Sequence, residues 1–194
     1  MFIAFEGPDG SGSSTQSKLL AKQLEKEGKA VLLTKEPTPK EPIGSLIREI
    51  LQHKHEVSAE ALQLLFCADR AQHLAIEVEP ALNRDEFVIT DRYLLSTLAY
   101  GSLNLPLEWL KKLNENFRQP DITFVFDLPV EVCLERIKSR GANFELFETK
   151  ERLTKIQATY LDLAKKYPNV HVVNANRSIE EVQGEVWEVI KHNL

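Results

Sequence analysis

The chain has 194 residues, of which 43% are apolar and 27% charged, with a formal net charge of −5. That length fits one domain able to bury a core, and the acidic balance excludes binding a nucleic-acid polymer through bulk charge, so an anionic ligand would have to be held by locally placed cations and backbone N–H groups. Cys67 and Cys133 lie in apolar helical patterns and point to no disulfide framework or metal site, while the absence of any apolar run near ~18 residues excludes a membrane span.

In chain order, FIAF (2–5) reads as a strand that starts directly after Met1, which leaves no room for a leader peptide and makes the cytoplasm the expected compartment. GPDGSGSST (7–15) follows as a glycine-rich loop, and an amphipathic helix runs over about 14–27. AVLLT (30–34) is a second strand, and the Pro-rich KEPTPKEP (35–42) follows its end. Helical stretches cover about 43–52 and 58–79, the second opening at Ser58. FVIT (87–90) is the third strand. A helix is expected over 107–117, then a strand at ITFVFDL (122–128) and helices over 130–139 and 149–167. VHVV (170–173) is the last strand, and a helix over 178–192 opens with the capping-box pair Ser178 and Glu181. The strands are short and nearly continuously apolar, as expected of strands buried on both faces of a parallel sheet. Their alternation with helices predicts a single doubly wound α/β domain spanning 1–194. Its ligand site is expected at the carboxyl ends of the strands.

The 7–15 loop carries the strongest chemical signal. The usual phosphate-binding pattern is G-x-x-x-x-G-K-[ST]. Here Gly7 and Gly12 are in place and Ser14 occupies the hydroxyl position, but the lysine position holds Ser13. A strand stands before the loop and a helix after it. The N–H groups of residues 10 to 15 therefore line a concavity at a helix N-terminus, where the dipole favours anions. Ser14 is placed to hold Mg²⁺ through its hydroxyl. Asp91 and Arg92 end the FVIT strand at the same sheet edge. The plainer reading of the two is an ion pair at a strand end. Phe66 and Arg70, four apart, share a helical face. An aromatic plane beside a guanidinium suits a nucleobase, although Phe66 alone reads as core and Arg70 as a surface charge. The five histidines are scattered and form no metal-ligand spacing.

FEGPDGSGSSTQ resembles the opening of thymidylate kinases. KEPTP…GSLIREIL (35–51), LLFCADRAQH (64–73), DRYLLSTLAY (91–100) and PDITFVFDLPVEVCLERIKSRG (120–141) resemble that family's later motifs in the same order, over essentially the whole chain. The resemblance implies a three-layer P-loop kinase fold: a five-stranded parallel sheet flanked by helices. It implies phosphorylation of dTMP to dTDP by ATP with Mg²⁺, in a homodimer joined through helices such as 58–79. Under it, Arg92 clamps donor and acceptor phosphates, Asp91 positions the metal with Ser14, and Asp9 stands near the monophosphate sugar and the metal. Gly7, Asp9, Gly10, Ser11, Gly12, Ser13, Ser14 and Thr15 form the ATP phosphate loop. In the lid, about 139–150, Arg140 stacks on adenine; Arg136, just before it, reaches toward ATP, and Asn176 lies in the loop after the last strand that borders adenine. On the acceptor side Phe66 stacks on thymine and Arg70 reads its O4. Ser96, Thr97 and Tyr100 line the same pocket, with Glu36 and Pro37 on the KEP loop and Arg48 approaching the monophosphate.

Three departures from the pattern bear on activity. Ser13 replaces the lysine, Gly101 replaces a glutamine that usually follows Ala-Tyr, and Leu146-Phe147-Glu148 replaces an Arg-Phe-Glu lid segment. Removing one preorganised electrostatic contact commonly costs roughly 3–4 kcal/mol of transition-state stabilisation. The expectation is that Arg136 or Lys138, brought in by the lid, replaces the loop lysine. Two other readings stay open: a kinase for another deoxynucleoside monophosphate, and a catalytically silent nucleotide-binding protein.

Overall fold

The computed structural model describes residues 1–139 and 149–193. Five strands form one parallel sheet: β1 (Phe2–Glu6), β2 (Val31–Lys35), β3 (Phe87–Asp91), β4 (Ile122–Asp127) and β5 (Val170–Asn174), in the order β2-β3-β1-β4-β5. Phe2, Ile3, Ala4 and Phe5 of the central strand, and Phe124, Val125 and Phe126 beside it, have almost no exposed surface. The edge strands depart from the expected two-sided burial. Leu33 on β2 and Val172 on β5 are well exposed, because an edge strand lacks a neighbour to carry a covering helix across both its faces.

Among the described residues nine helices cover the sheet: α1 (Ser13–Lys26), α2 (Pro42–Leu51), α3 (Ala59–His73), α4 (Glu79–Leu82), α5 (Leu94–Gly101), α6 (Leu107–Asn114), α7 (Val130–Ser139), α8 (Lys150–Ala164) and α9 (Ile179–Lys191). Helices α1 and α9 pack together on the sheet, and α8 packs against β4, β5, α5 and α7. The layers are helix, sheet and helix. Ser58 caps α3 by accepting from the Ala61 N–H, and Ser178 and Glu181 close the expected capping box. The 58–79 stretch is not one uniform helix: α3 passes through a π-helical turn, Leu74–Val78, into α4. Pro80 accounts for the wider turn. It lacks an N–H, and its ring would meet the carbonyl of Ile76 in a regular helix. Helix α5, absent from the expected stretches, is a further difference. Cys133 is fully buried, and burial pushes its thiol up to about 11, which keeps it a small protonated core group. Cys67 is only half-buried and donates to Asn114.

Connectivity positions the site. From β1 the chain crosses to β2, and from β3 it crosses to β4 on the other side, so the carboxyl ends of β1 and β3 flank the crevice where the strand order reverses. Phe5 stands opposite Asp91 in the register, and the Arg92 N–H donates to the Phe5 carbonyl at 2.8 Å. The 7–12 loop and the Asp91–Arg92 turn therefore emerge side by side.

Candidate functional site

Gly12 caps α1 with φ 98°, a left-handed conformation, and points the loop back over the helix N-terminus. Gly10 is required by packing: a Cβ there would stand 2.4 Å from the carbonyl oxygen of Cys133 on α7. The loop is thus pressed onto α7, and Arg136, one turn along, lies across it. Arg136 Nη1 donates to the carbonyls of Gly10 (3.4 Å) and Ser11 (3.2 Å), and Nη2 to that of Ala175 (3.3 Å). A guanidinium therefore already rests on a loop that has no lysine. Lys138 is exposed on the same helix, and Arg140 and the 146–148 segment lie outside the described residues. Ser13, 6% exposed, donates to Asp91 Oδ1 at 2.8 Å, and Ser14 Oγ is bonded to Asp91 Oδ2. Asp91 thus gathers both loop hydroxyls at the head of α1.

Arg92 adopts φ 72°, rare for a residue with a side chain. The turn carries its guanidinium back over the loop. Nη1 donates to the Gly7 carbonyl at 2.9 Å, Nη2 pairs with Asp9 Oδ1, and the group lies 5.0 Å from the centre of the Tyr100 ring. Tyr100 in turn donates to Asp9 Oδ2 at 2.9 Å and accepts from the Asp9 N–H. Beneath this cluster is Glu6, with no exposed surface. It accepts from the N–H groups of Tyr93 (3.1 Å) and Leu95 (2.9 Å) and from the Ser96 hydroxyl. Burial raises its carboxyl above the ordinary range, against the Ser96 hydrogen bond and the Arg92 and Arg70 charges. The Tyr100 and Tyr160 phenols are likewise held well above the ordinary range by burial.

Asp9 and Arg92, above Glu6, stand in the wall of a cavity of about 280 Å³. Residues from Asp9 to Thr15, Asp91 and Arg92 line one part of it. Glu36, Pro37, Arg48, Phe66, Arg70, Ser96, Thr97 and Tyr100 line the rest, with Gln63 and Lys35. Gly7 contributes only its carbonyl, to Arg92. Arg136 stands behind the loop, and Asn176 lies in the turn after β5, one residue past the Ala175 carbonyl that Arg136 contacts. Arg70 is 1% exposed. Its Nε and Nη2 donate to Glu36 Oε2 at 3.0 and 2.7 Å, Nη2 also reaches Thr97 Oγ1 at 2.9 Å, and Nη1 bonds Asn114 Oδ1. Glu36 also pairs with His73 Nδ1 at 3.1 Å. Arg70 is thus a buried, rigidly held cation rather than a surface charge. Arg48 donates to the carbonyls of Thr38 (2.7 Å) and Pro39, tying α2 to the Pro-rich turn.

One family model, "Thymidylate kinase", matches residues 5–186. The chain belongs to the thymidylate kinase family. Relatives of near-equal length carry the same name. A "probable thymidylate kinase" of Pyrococcus horikoshii is 44% identical over 199 residues, covering 100% of this chain and 97% of the relative. One of Methanocaldococcus jannaschii is 40% identical over 193 residues, covering 99% and 96%. One of Sulfolobus acidocaldarius is 40% identical over 192 residues, covering 97% and 95%.

Within this thymidylate kinase fold, several residues that organise the site escaped the sequence reading. Glu6 sits inside the quoted opening motif but has no role in the loop pattern. Asn114, which holds Arg70, ends a helix 44 residues away with no local signal. Asp69 holds the Pro-rich turn by accepting from the Thr38 N–H at 2.8 Å and from its hydroxyl. Its place beside Arg70 was the available hint.

Proposed function

We infer that this chain transfers the γ-phosphoryl group of ATP to the phosphate of dTMP, giving ADP and dTDP for dTTP synthesis. The observation that carries the reading is that one cavity is shared by two sets of groups. A phosphate loop at a helix N-terminus and the Asp91–Arg92 turn stand in one wall, and Phe66 with the buried Arg70 in another. The donor phosphates would lie on the loop amides, where the helix dipole supplies positive potential. Arg92, fixed by Gly7 and Asp9, faces the space between donor and acceptor. The acceptor oxygen is already anionic, so alignment and charge stabilisation carry the rate and no strong base is needed.

Ser14 Oγ and the Asp91 carboxylate are adjoining hard oxygen donors, which suits Mg²⁺ held mainly by phosphate oxygens and water. When bound there, Mg²⁺ supplies charge neutralisation across neighbouring phosphate oxygens. Arg136 takes the part of the missing lysine in this reading: its guanidinium is already on the loop that Ser13 leaves without a cation. Work in the cytoplasm and assembly as a homodimer belong to the same reading. Among the described residues no helix is long and apolar enough to cross a membrane.

A coupled ADP-release assay over dTMP, dUMP, dCMP, dGMP and dAMP tests the substrate. Turnover is expected to be fastest with dTMP. A different preferred acceptor would reassign the substrate, and nucleotide binding without ADP release would make the chain a silent homologue.

A further inference from the structure

Gln63 stands on α3, three residues before Phe66 and seven before Arg70, so the three side chains share one helical face. All three line the cavity. Gln63 is 3% exposed, and its Oε1 is buried without a hydrogen-bond partner. Such a group is held at a cost unless something completes it. Of the described residues with a buried side-chain acceptor left without a donor, Gln63 and Ser11 line this cavity, Ser11 as part of the phosphate loop; Gln63 also borders a neighbouring cavity beside Gly101. The other polar groups near Arg70 are engaged: Thr97 and Asn114 both accept from it, and Glu36 accepts from it and pairs with His73. Gly101 is what makes room. A Cβ there would stand 3.1 Å from Gln63 Cδ and 2.8 Å from Leu110 Cδ1. A side chain at 101 would compete with Gln63 for this space, and 101 is the position where the resembled pattern carries glutamine.

We propose that Gln63 is a specificity-determining residue for the acceptor base, and that its amide, delivered from α3, reads the N3 edge of a pyrimidine-2,4-dione. The assignment rests on the cavity being the dTMP site. Thymine presents an N3–H donor between two carbonyls. Arg70 has only donors and can serve a carbonyl, but it cannot accept from N3–H. The Gln63 amide can accept from N3–H through Oε1 and donate to a flanking carbonyl through Nε2. Its last torsion is soft enough to turn the carbonyl toward the ring.

The test compares dTMP with N3-methylated dTMP as ligands of the wild-type protein and of Gln63→Met, which keeps the volume and removes the amide. For Gln63→Met the KM for dTMP is expected to rise about tenfold, the loss of one hydrogen bond at the upper end of the usual range. Its kcat and its KM for ATP should stay within about twofold of wild type. N3-methylation should weaken binding to the wild type about tenfold and to Gln63→Met far less, a coupling that a merely structural role would not produce. An unchanged KM for dTMP in Gln63→Met would overturn the proposal. So would equal affinity of the wild type for the two nucleotides, a comparison that needs no variant. Failure of the wild type to bind or turn over dTMP at all would instead overturn the reading of the cavity on which this rests.

Discussion

At position 13 a serine hydroxyl donates to Asp91 Oδ1 at 2.8 Å, where the usual loop carries an ammonium group. The Arg136 guanidinium reaches the loop carbonyls of Gly10 and Ser11 from α7. If that group supplies the missing charge, Arg136→Ala lowers kcat by roughly 100-fold or more, the usual loss for one preorganised donor. Ser13→Lys in the same background then recovers at least about tenfold, one such contact being worth more than that. Steady-state rates with dTMP decide it, and wild-type turnover in Arg136→Ala would refute the assignment. Position 13 was legible because the loop has a fixed spacing; the sequence offered Arg136 or Lys138 as the stand-in but could not choose between them, because the contact of Arg136 with the loop is made from 123 residues later in the chain. Glu6 offers a second test. Its carboxyl is raised above the unfolded value of 4.5, first by burial. A folded pKa above the unfolded one means its contribution to stability is complete below about pH 4.5 and fades as pH rises through the folded value. Thermal unfolding across pH should therefore show the wild type losing ground to Glu6→Gln from about pH 4.5 upward. Parallel curves would contradict it.

Helix α3 and the turn after β2 are locked together by Arg70, Glu36 and His73, all at most 4% exposed. Glu36→Gln leaves a buried guanidinium without its anion, a change that costs about 3–5 kcal/mol. For a chain of this length that corresponds to a fall in melting temperature of roughly 6–20 °C, read by calorimetry without ligand; a fall under about 2 °C, at most about 1 kcal/mol by the same scaling, would mean the network is not buried as described. The helix periodicity placed Phe66 and Arg70 on one face, and the structure keeps them there. It could not show that Arg70 is buried, since its partners Glu36, Thr97 and Asn114 come from three separate segments. Helix α5 was missed for a related reason. LLSTLAYG is short and buried almost all round, so it lacks the polar face that would mark a helical period. The π-helical turn before α4, which follows from Pro80, was missed because an apolar periodicity that runs on through 58–79 carries no mark of the hydrogen bond a proline removes one residue later.

Across the molecule, the near-continuous apolar runs announced a parallel sheet, and alternation with helices announced its winding, because both follow from burial alone. The edge strands escaped that logic, since their exposure depends on strand order rather than on their own residues. Exposed apolar side chains remain on the 57–78 stretch, with Val57, Ile76 and Leu64 between 43% and 51% exposed. They support the homodimer reading: light scattering should give a dimer mass, and Leu64→Glu with Ile76→Glu should shift it toward the monomer, whereas a monomeric wild type would end that reading. The central claim is that this loop, without its lysine, still moves a phosphoryl group onto dTMP. It is tested most directly by following γ-labelled ATP, Mg²⁺ and dTMP with the purified wild-type chain. The account predicts label appearing in dTDP with repeated turnover, at a rate set by enzyme concentration. ATP and dTMP both bound, with no label reaching dTDP, would contradict it.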